Sequence, residues 1–125
     1  MRQIKHGWYQ TNLTQKALIL EYTTMPIGSP DNVSDWNTYF FTTIGWTAVS
    51  QFTSVKWSDN GANSRVYLYG GSGIGIANNG FDSSTDLIKV LDYAGSIYVG
   101  ADFMFTGCKS LTHIILPACG EINNG

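Results

Sequence analysis

The sequence has few charged residues, and this shortage excludes two classes of partner. Charged residues make up 13% of the 125 residues, and the formal net charge is -2. The isoelectric point lies near 5.4. Binding to nucleic acid or to an anionic membrane surface depends on a clustered excess of lysine and arginine, which this composition does not supply. We therefore expect neither partner.

The hydrophobic stretches are too short to cross a membrane. The longest, residues 17–20, has four residues, whereas a spanning helix needs about 20. The basic N-terminus, residues 1–8, is not followed by the apolar stretch of about 7 to 15 residues that a secretory signal peptide contains. The sequence predicts neither membrane insertion nor a cleaved export signal.

Cysteine and histidine are also scarce, so the usual ligands and nucleophiles of enzymes are few. Cys108 and Cys119 lack the close spacing and the further ligands of a zinc site. His6 and His113 have no nucleophile or carboxylate partner nearby in sequence. A glycosidase would need two carboxylates at a fixed separation, and the aspartates are scattered. We predict no catalytic residues, no metal and no cofactor, with His113 facing solvent on a strand.

Aromatic residues, by contrast, reach 14%, and a pattern recurs every 24 residues in the second half. Residues 66–81 align with residues 90–105. The matched positions are Val66 with Val90, Tyr69 with Tyr93, Gly71 with Gly95, Ser72 with Ser96, Ala77 with Ala101 and Phe81 with Phe105. A period in the twenties indicates a solenoid. The glycine-rich stretch 70–75 lies within this alignment, which favours a repeat turn over a phosphate-binding loop.

The predicted fold is mainly β, with a small β-rich N-terminal module over residues 1–56 and a short leucine-rich-repeat-like solenoid over residues 57–125. The repeats run from 57 to 80, 81 to 104 and 105 to 125. Burying about four apolar side chains stabilises a repeat by roughly 6 to 12 kcal/mol. Backbone ordering costs about 1 to 2 kcal/mol per residue. A single repeat therefore cannot fold alone.

Within the first part, strands are predicted at residues 16–22 and 52–57, and a returning strand at 65–69 after an Asn60-Gly61 turn. A helical turn near residues 34–41 has Ser34 or Asp35 as its predicted N-cap. Its many aromatic residues and the threonines that follow predict no more than two turns.

The last repeat resembles the BspA-like leucine-rich repeats of bacterial surface proteins. Phe105, Cys108, Leu111, Ile114, Leu116 and Pro117 fill the six characteristic positions of that repeat. The preceding repeat is looser, with Ser84 at the cysteine position and Asp92 in place of Leu116. The resemblance implies a solenoid and a small, buried position for Cys108.

The N-terminal part resembles the entry module of repeat proteins from gut bacteriophages, including crAss-like phages. The similarity lies in residues 32–41, 52–55 and 66–71. In that family the module precedes BspA-like repeats in virion fibre or appendage proteins. The resemblance implies a non-enzymatic virion component with a role in assembly or host attachment, and the missing export signal favours the virion over a bacterial cell surface.

The sequence stops inside the repeat that begins at Phe105. An open solenoid end exposes strand edges and core, so we expect either further chain or a covering subunit. The predicted partners are a second copy of the chain, for example in a trimer, or other virion proteins.

A ladder of tyrosines is the candidate ligand site. Aromatic rings can stack on sugar rings while amides and carboxylates bind the hydroxyls. The alternative is that Tyr69 and Tyr93 are repeat-core positions. The candidate contacts to a host-surface glycan or protein are Tyr67, Tyr69, Tyr93, Tyr98, Asn78, Asn79 and Asp102. Two further functions therefore stay open, a cell-surface adhesin fragment and a carbohydrate-binding module.

Overall fold

The computed structural model describes residues 16–59, 61–76, 80–81, 84–100 and 104–118. The fold is mainly β, with a five-stranded and a two-stranded sheet. The elements are β1 (Leu18–Tyr22), α1 (Val33–Thr38), a π-helix (Tyr39–Ile44), β2 (Ser54–Asp59), β3 (Ser64–Tyr69), β4 (Ile74–Gly75), β5 (Leu87–Asp92), β6 (Ile97–Val99) and β7 (His113–Ile115). None of the helices in the described ranges is long and apolar enough to span a membrane.

The large sheet has β1 at its centre, and its strand order is β2-β3-β1-β5-β7. β1 is antiparallel to β3 on one side and to β5 on the other, so Leu20 lies opposite both Val66 and Val90. All five residues of β1 are buried, as expected for a short apolar segment with strands on both sides. The predicted segments 1–56 and 57–125 therefore share one sheet.

The 24-residue spacing of the sequence reappears as the offset between paired strands. β5 and β7 are parallel, with Lys89 opposite His113 and Val90 opposite Ile114. β4 and β6 are also parallel, and Ile74 lies opposite Ile97. Between these sheets the rings of Phe81 and Phe105 stack, with centroids 5.2 Å apart. Val66 and Val90 do not follow this pattern, because β1 separates their strands.

The helical segment begins earlier and runs further than the sequence predicts. Asn32 is the N-cap, and its Oδ1 accepts a hydrogen bond from the Asp35 N–H at 3.2 Å. The prediction of Ser34 or Asp35 as the cap was therefore wrong. The prediction of at most two turns was also wrong, since the π-helix continues to Ile44. Gly45, with φ 96°, then ends the helix, a conformation that glycine adopts without strain.

An aromatic layer from the helices and the following loop packs on one face of the large sheet. Phe40 stacks on Trp46 with ring centroids 4.3 Å apart, and Trp36 stacks on Phe40 at 5.3 Å. The two indole N–H groups donate to the backbone oxygens of Pro30 and Gly80, each at 2.8 Å. Burial therefore leaves neither indole without a hydrogen bond. The sheet residues beneath this layer are Leu18, Leu20, Val66, Leu68 and Val90.

The strand predictions are confirmed for β1 and β3, and β2 is displaced by two residues. Asn37 explains the displacement, because its side chain binds the backbone of Phe52 on both sides. The Asn37 Oδ1 accepts from the Phe52 N–H at 3.0 Å, and the Asn37 Nδ2 donates to the Phe52 carbonyl at 2.9 Å. Phe52 is thereby held to the helix, and regular pairing with β3 begins at Ser54.

Candidate functional site

The sheet face opposite the aromatic layer, here called the outer face, carries the candidate site. Side chains alternate between the two faces of a strand, so Tyr67 and Tyr69 face away from the core residues Val66 and Leu68. The register places the corresponding residues of the other strands on the same side. The outer face consists of Ser54, Lys56, Ser58, Arg65, Tyr67, Tyr69, Ile19, Glu21, Lys89, Leu91, His113 and Ile115.

A groove with a volume of about 210 Å³ opens on the outer face between β2 and β3. Lys56, Ser58, Tyr67 and Tyr69 line this groove. Lys56 lies directly opposite Tyr67 in the antiparallel pair, so their side chains stand side by side. The groove thus combines two aromatic rings with an ammonium group and a hydroxyl group.

The tyrosine side of the groove is held in place by a small apolar cluster. Ala17, Ile19 and Leu91 are buried, and both Tyr67 and Tyr69 pack against them. Burial, followed by the nearby Tyr67, raises the pKa of the Tyr69 phenol. Both rings therefore have packed backs and partly exposed edges, an arrangement that suits them to contact a ligand.

An ion pair next to the groove neutralises one of its cations. The Arg65 guanidinium donates to Glu21 Oε1 from two nitrogens, at 2.7 and 3.0 Å, and Asn63 Nδ2 donates to Oε2 at 3.3 Å. The hydrogen bond to Glu21 is the main cause that raises the pKa of Arg65. Within the described ranges no carboxylate lies within ion-pair distance of Lys56 or Lys89.

The structure brings together only two of the seven predicted contact residues, Tyr67 and Tyr69. Tyr93 is exposed in the turn after β5, and β1 lies between its strand and that of Tyr69. Two strand spacings, about 10 Å, separate these positions, which interrupts the predicted ladder. Tyr98 is exposed on β6 of the smaller sheet. The remaining three, Asn78, Asn79 and Asp102, lie outside the described residues.

Sequence reasoning missed Lys56 and Ser58, although a signal for them was present. The alternating strand 52–57 and the Asn60-Gly61 turn already predicted a hairpin with β3. Counting the register back from that turn places Lys56 beside Tyr67, as the structure does. The repeat alignment drew attention to the tyrosines instead, because β2 precedes the region where the repeat is regular.

Asp92 is buried and has a structural role. Its Oδ1 accepts from the backbone N–H and the hydroxyl of Ser96, at 3.0 and 2.9 Å. Its Oδ2 accepts from the Ile97 N–H at 2.8 Å. Both oxygens are therefore engaged in the turn that leads from β5 to β6. A carboxylate can replace a leucine at this repeat position because the turn supplies its hydrogen bonds.

Cys108 and His113 occupy the environments that the sequence suggested for them, in part or in full. Cys108 is half-buried and packs against the main core, and burial raises the pKa of its thiol. His113 is exposed on β7, which confirms its solvent-facing prediction, and its Nδ1 lies 2.8 Å from the Thr112 hydroxyl. His6 and Cys119 lie outside the described residues. In the part of the chain that is described, no three His, Cys, Asp or Glu side chains converge as a metal site.

Comparisons of the chain with protein-family models, with curated proteins and with solved structures find no match. The resemblances to BspA-like repeats and to phage entry modules stay predictions. Function must therefore be inferred from the strand register, the exposed sheet edge and the groove.

Proposed function

We propose that this protein is a non-enzymatic structural component of a phage particle that contributes to assembly or host-cell attachment, with its repeats arranged as a short leucine-rich solenoid. The parallel pairing of β5 with β7 at an offset of 24 residues carries this proposal. In a solenoid, each repeat pairs with the equivalent residues of the next repeat. The parallel β4–β6 pair and the Phe81–Phe105 stack support the same arrangement.

The edge of the sheet at β7 is the surface that would contact another subunit. Ile114 is 43% exposed and Ile115 is 40% exposed. β7 is the last strand in the sheet order, and no other described strand pairs with its outer edge. An edge strand with exposed apolar residues favours pairing with another chain. We assign this edge to a second copy of the chain, in a homo-oligomer such as a trimer.

Light scattering over a concentration series tests this assignment directly. We expect the mass of a trimer or another defined oligomer for the wild-type chain, and a lower mass for the double variant Ile114→Lys/Ile115→Lys. Val49→Lys is the matched control, because Val49 is 86% exposed and lies far from β7 in sequence and outside its sheet. A wild-type chain that is monomeric at every concentration would contradict self-assembly through β7.

A second candidate function, carbohydrate binding, is favoured by the groove. Tyr67 and Tyr69 present neighbouring rings there, beside the hydrogen-bonding groups of Lys56 and Ser58. A glycan array tests this candidate: Tyr69→Ala should abolish binding, whereas Tyr93→Ala, outside the groove, should not. If neither substitution changes binding, the groove is not the glycan site. The cell-surface adhesin alternative would require an export signal in the genomic reading frame.

A further inference from the structure

We propose that the groove binds a pyranose ring that carries a carboxylate, and that Lys56 selects for the acid group. This inference rests on the second candidate function and names its ligand class. It is independent of the assembly proposal, because β7 and the groove lie at opposite ends of the sheet order.

The dimensions of the groove fit one sugar residue. Its volume of about 210 Å³ is smaller than the roughly 300 to 1,000 Å³ of sites for drug-sized ligands. Tyr67 and Tyr69 are two residues apart on one strand, so their Cα atoms are separated by about 7 Å. Two rings at this spacing offer an apolar surface about as long as a pyranose. Ser58 can donate and accept hydrogen bonds to ring hydroxyls.

The charge distribution favours an acidic ligand over a neutral one. Arg65 is already paired with Glu21, so Lys56 is the cation available at the groove. The outer face carries Lys56, Arg65 and Lys89 but only one carboxylate, Glu21, whereas the whole chain has a net charge of -2. A local excess of positive charge attracts anions. An ammonium group also forms stronger hydrogen bonds with a carboxylate than with a hydroxyl.

The aromatic residues distinguish a sugar acid from a simple anion. A small inorganic anion would bind Lys56 without using the apolar surface of Tyr67 and Tyr69. A neutral sugar would use the tyrosines but would leave the ammonium group without a charged partner. A carboxylated pyranose is the ligand that uses both halves of the groove.

Matched sugar pairs provide the test, measured by ligand-observed NMR titration of the full chain. The pairs are methyl glucuronide with methyl glucoside, and methyl galacturonide with methyl galactoside, which differ at the carboxylate. For at least one pair we expect the acid to bind about threefold to tenfold more tightly than the neutral sugar, the range between an exposed ion pair and a charged hydrogen bond. Lys56→Met should reduce this ratio to near one.

Lys89→Met is the matched control, because it removes the same charge from the same sheet face outside the groove. It should preserve the acid preference, and Tyr67→Ala should weaken both members of a pair. Equal binding of acid and neutral sugars by the wild-type chain would overturn the inference and leave the carbohydrate-binding candidate intact. Loss of the preference in Lys89→Met, or equally tight binding of acetate, would indicate a nonspecific anion surface and would also overturn it. If no sugar binds, both the inference and the candidate fail.

Discussion

The two faces of the large sheet are built from the same strands but have different composition. On the core face, Leu20 and Val66 lie under a layer of stacked aromatic rings and are fully buried. On the outer face, the buried apolar residues of the described chain form a small cluster of Ala17, Ile19 and Leu91. Strand alternation assigns consecutive residues to opposite faces. One face therefore stabilises the fold, while the other is available for binding.

Aromatic side chains illustrate the same difference. On the core side, Trp36 and Phe40 have no exposed surface, so their contribution is apolar burial and ring stacking. On the outer side, Tyr67 and Tyr69 are half-buried, with Lys56 beside them. Substitutions on the two faces should consequently separate stability from binding.

The largest expected effect is that of Phe40→Ala in the aromatic layer. Phe40 is buried against Trp36, Trp46 and Phe52, and its removal should lower the free energy of unfolding by about 3 to 5 kcal/mol. Phe41→Ala, at the adjacent half-buried residue, is the control and should cost less. Urea denaturation measures both. An equal cost for the two variants would show that the layer is not centred on Phe40.

A smaller difference is expected between adjacent residues of β1 that face opposite sides. Leu20 and Ile19 are both essentially fully buried, and truncation of such residues to alanine costs about 2 to 5 kcal/mol. Leu20→Ala should be the more destabilising, by about 1 kcal/mol, because its tightly packed surroundings cannot collapse into the cavity. Around Ile19, the rings of Tyr67 and Tyr69 can move inward.

Denaturant titration of the two alanine variants decides this point. If Ile19→Ala costs as much as Leu20→Ala or more, the outer face is a second core rather than a binding face. Tyr67 would then be needed chiefly for packing, and glycan binding by the Tyr67→Ala variant would have to be judged against its loss of stability.

Local sequence patterns predicted much of the fold, and long-range pairing limited the rest. The apolar run at β1 and the alternation before and after Asn60-Gly61 are local signals, and they located three strands of the large sheet. The position of β1 between β3 and β5 depends on contacts across more than 40 residues, which no local pattern encodes. Tyr67 and Tyr69 were predicted from the repeat, but Lys56 joins them only through the hairpin register.

The smallest expected effect concerns tyrosine ionisation on the two faces. Tyr22 is fully buried on the core face, and burial, followed by the neighbouring Tyr39 and Cys108, raises the pKa of its phenol well above the usual 10.0. Because the folded chain retains this proton longer than the unfolded chain, the stabilisation is complete below pH 10. It is lost as the pH rises from 10 towards the higher pKa of the folded state.

Each pH unit in that window should lower the free energy of unfolding by about 1.4 kcal/mol for one such group. Tyr22→Phe should remove most of this alkaline slope in urea denaturation between pH 9 and 11, two values that bracket the ordinary tyrosine pKa of about 10. Tyr69→Phe, on the outer face, should remove less, since its phenol is largely in contact with solvent and its pKa is raised to a smaller degree. Equal effects of the two substitutions would contradict the contrast in burial between the faces, because a proton held by a buried phenol on one side only must give unequal slopes.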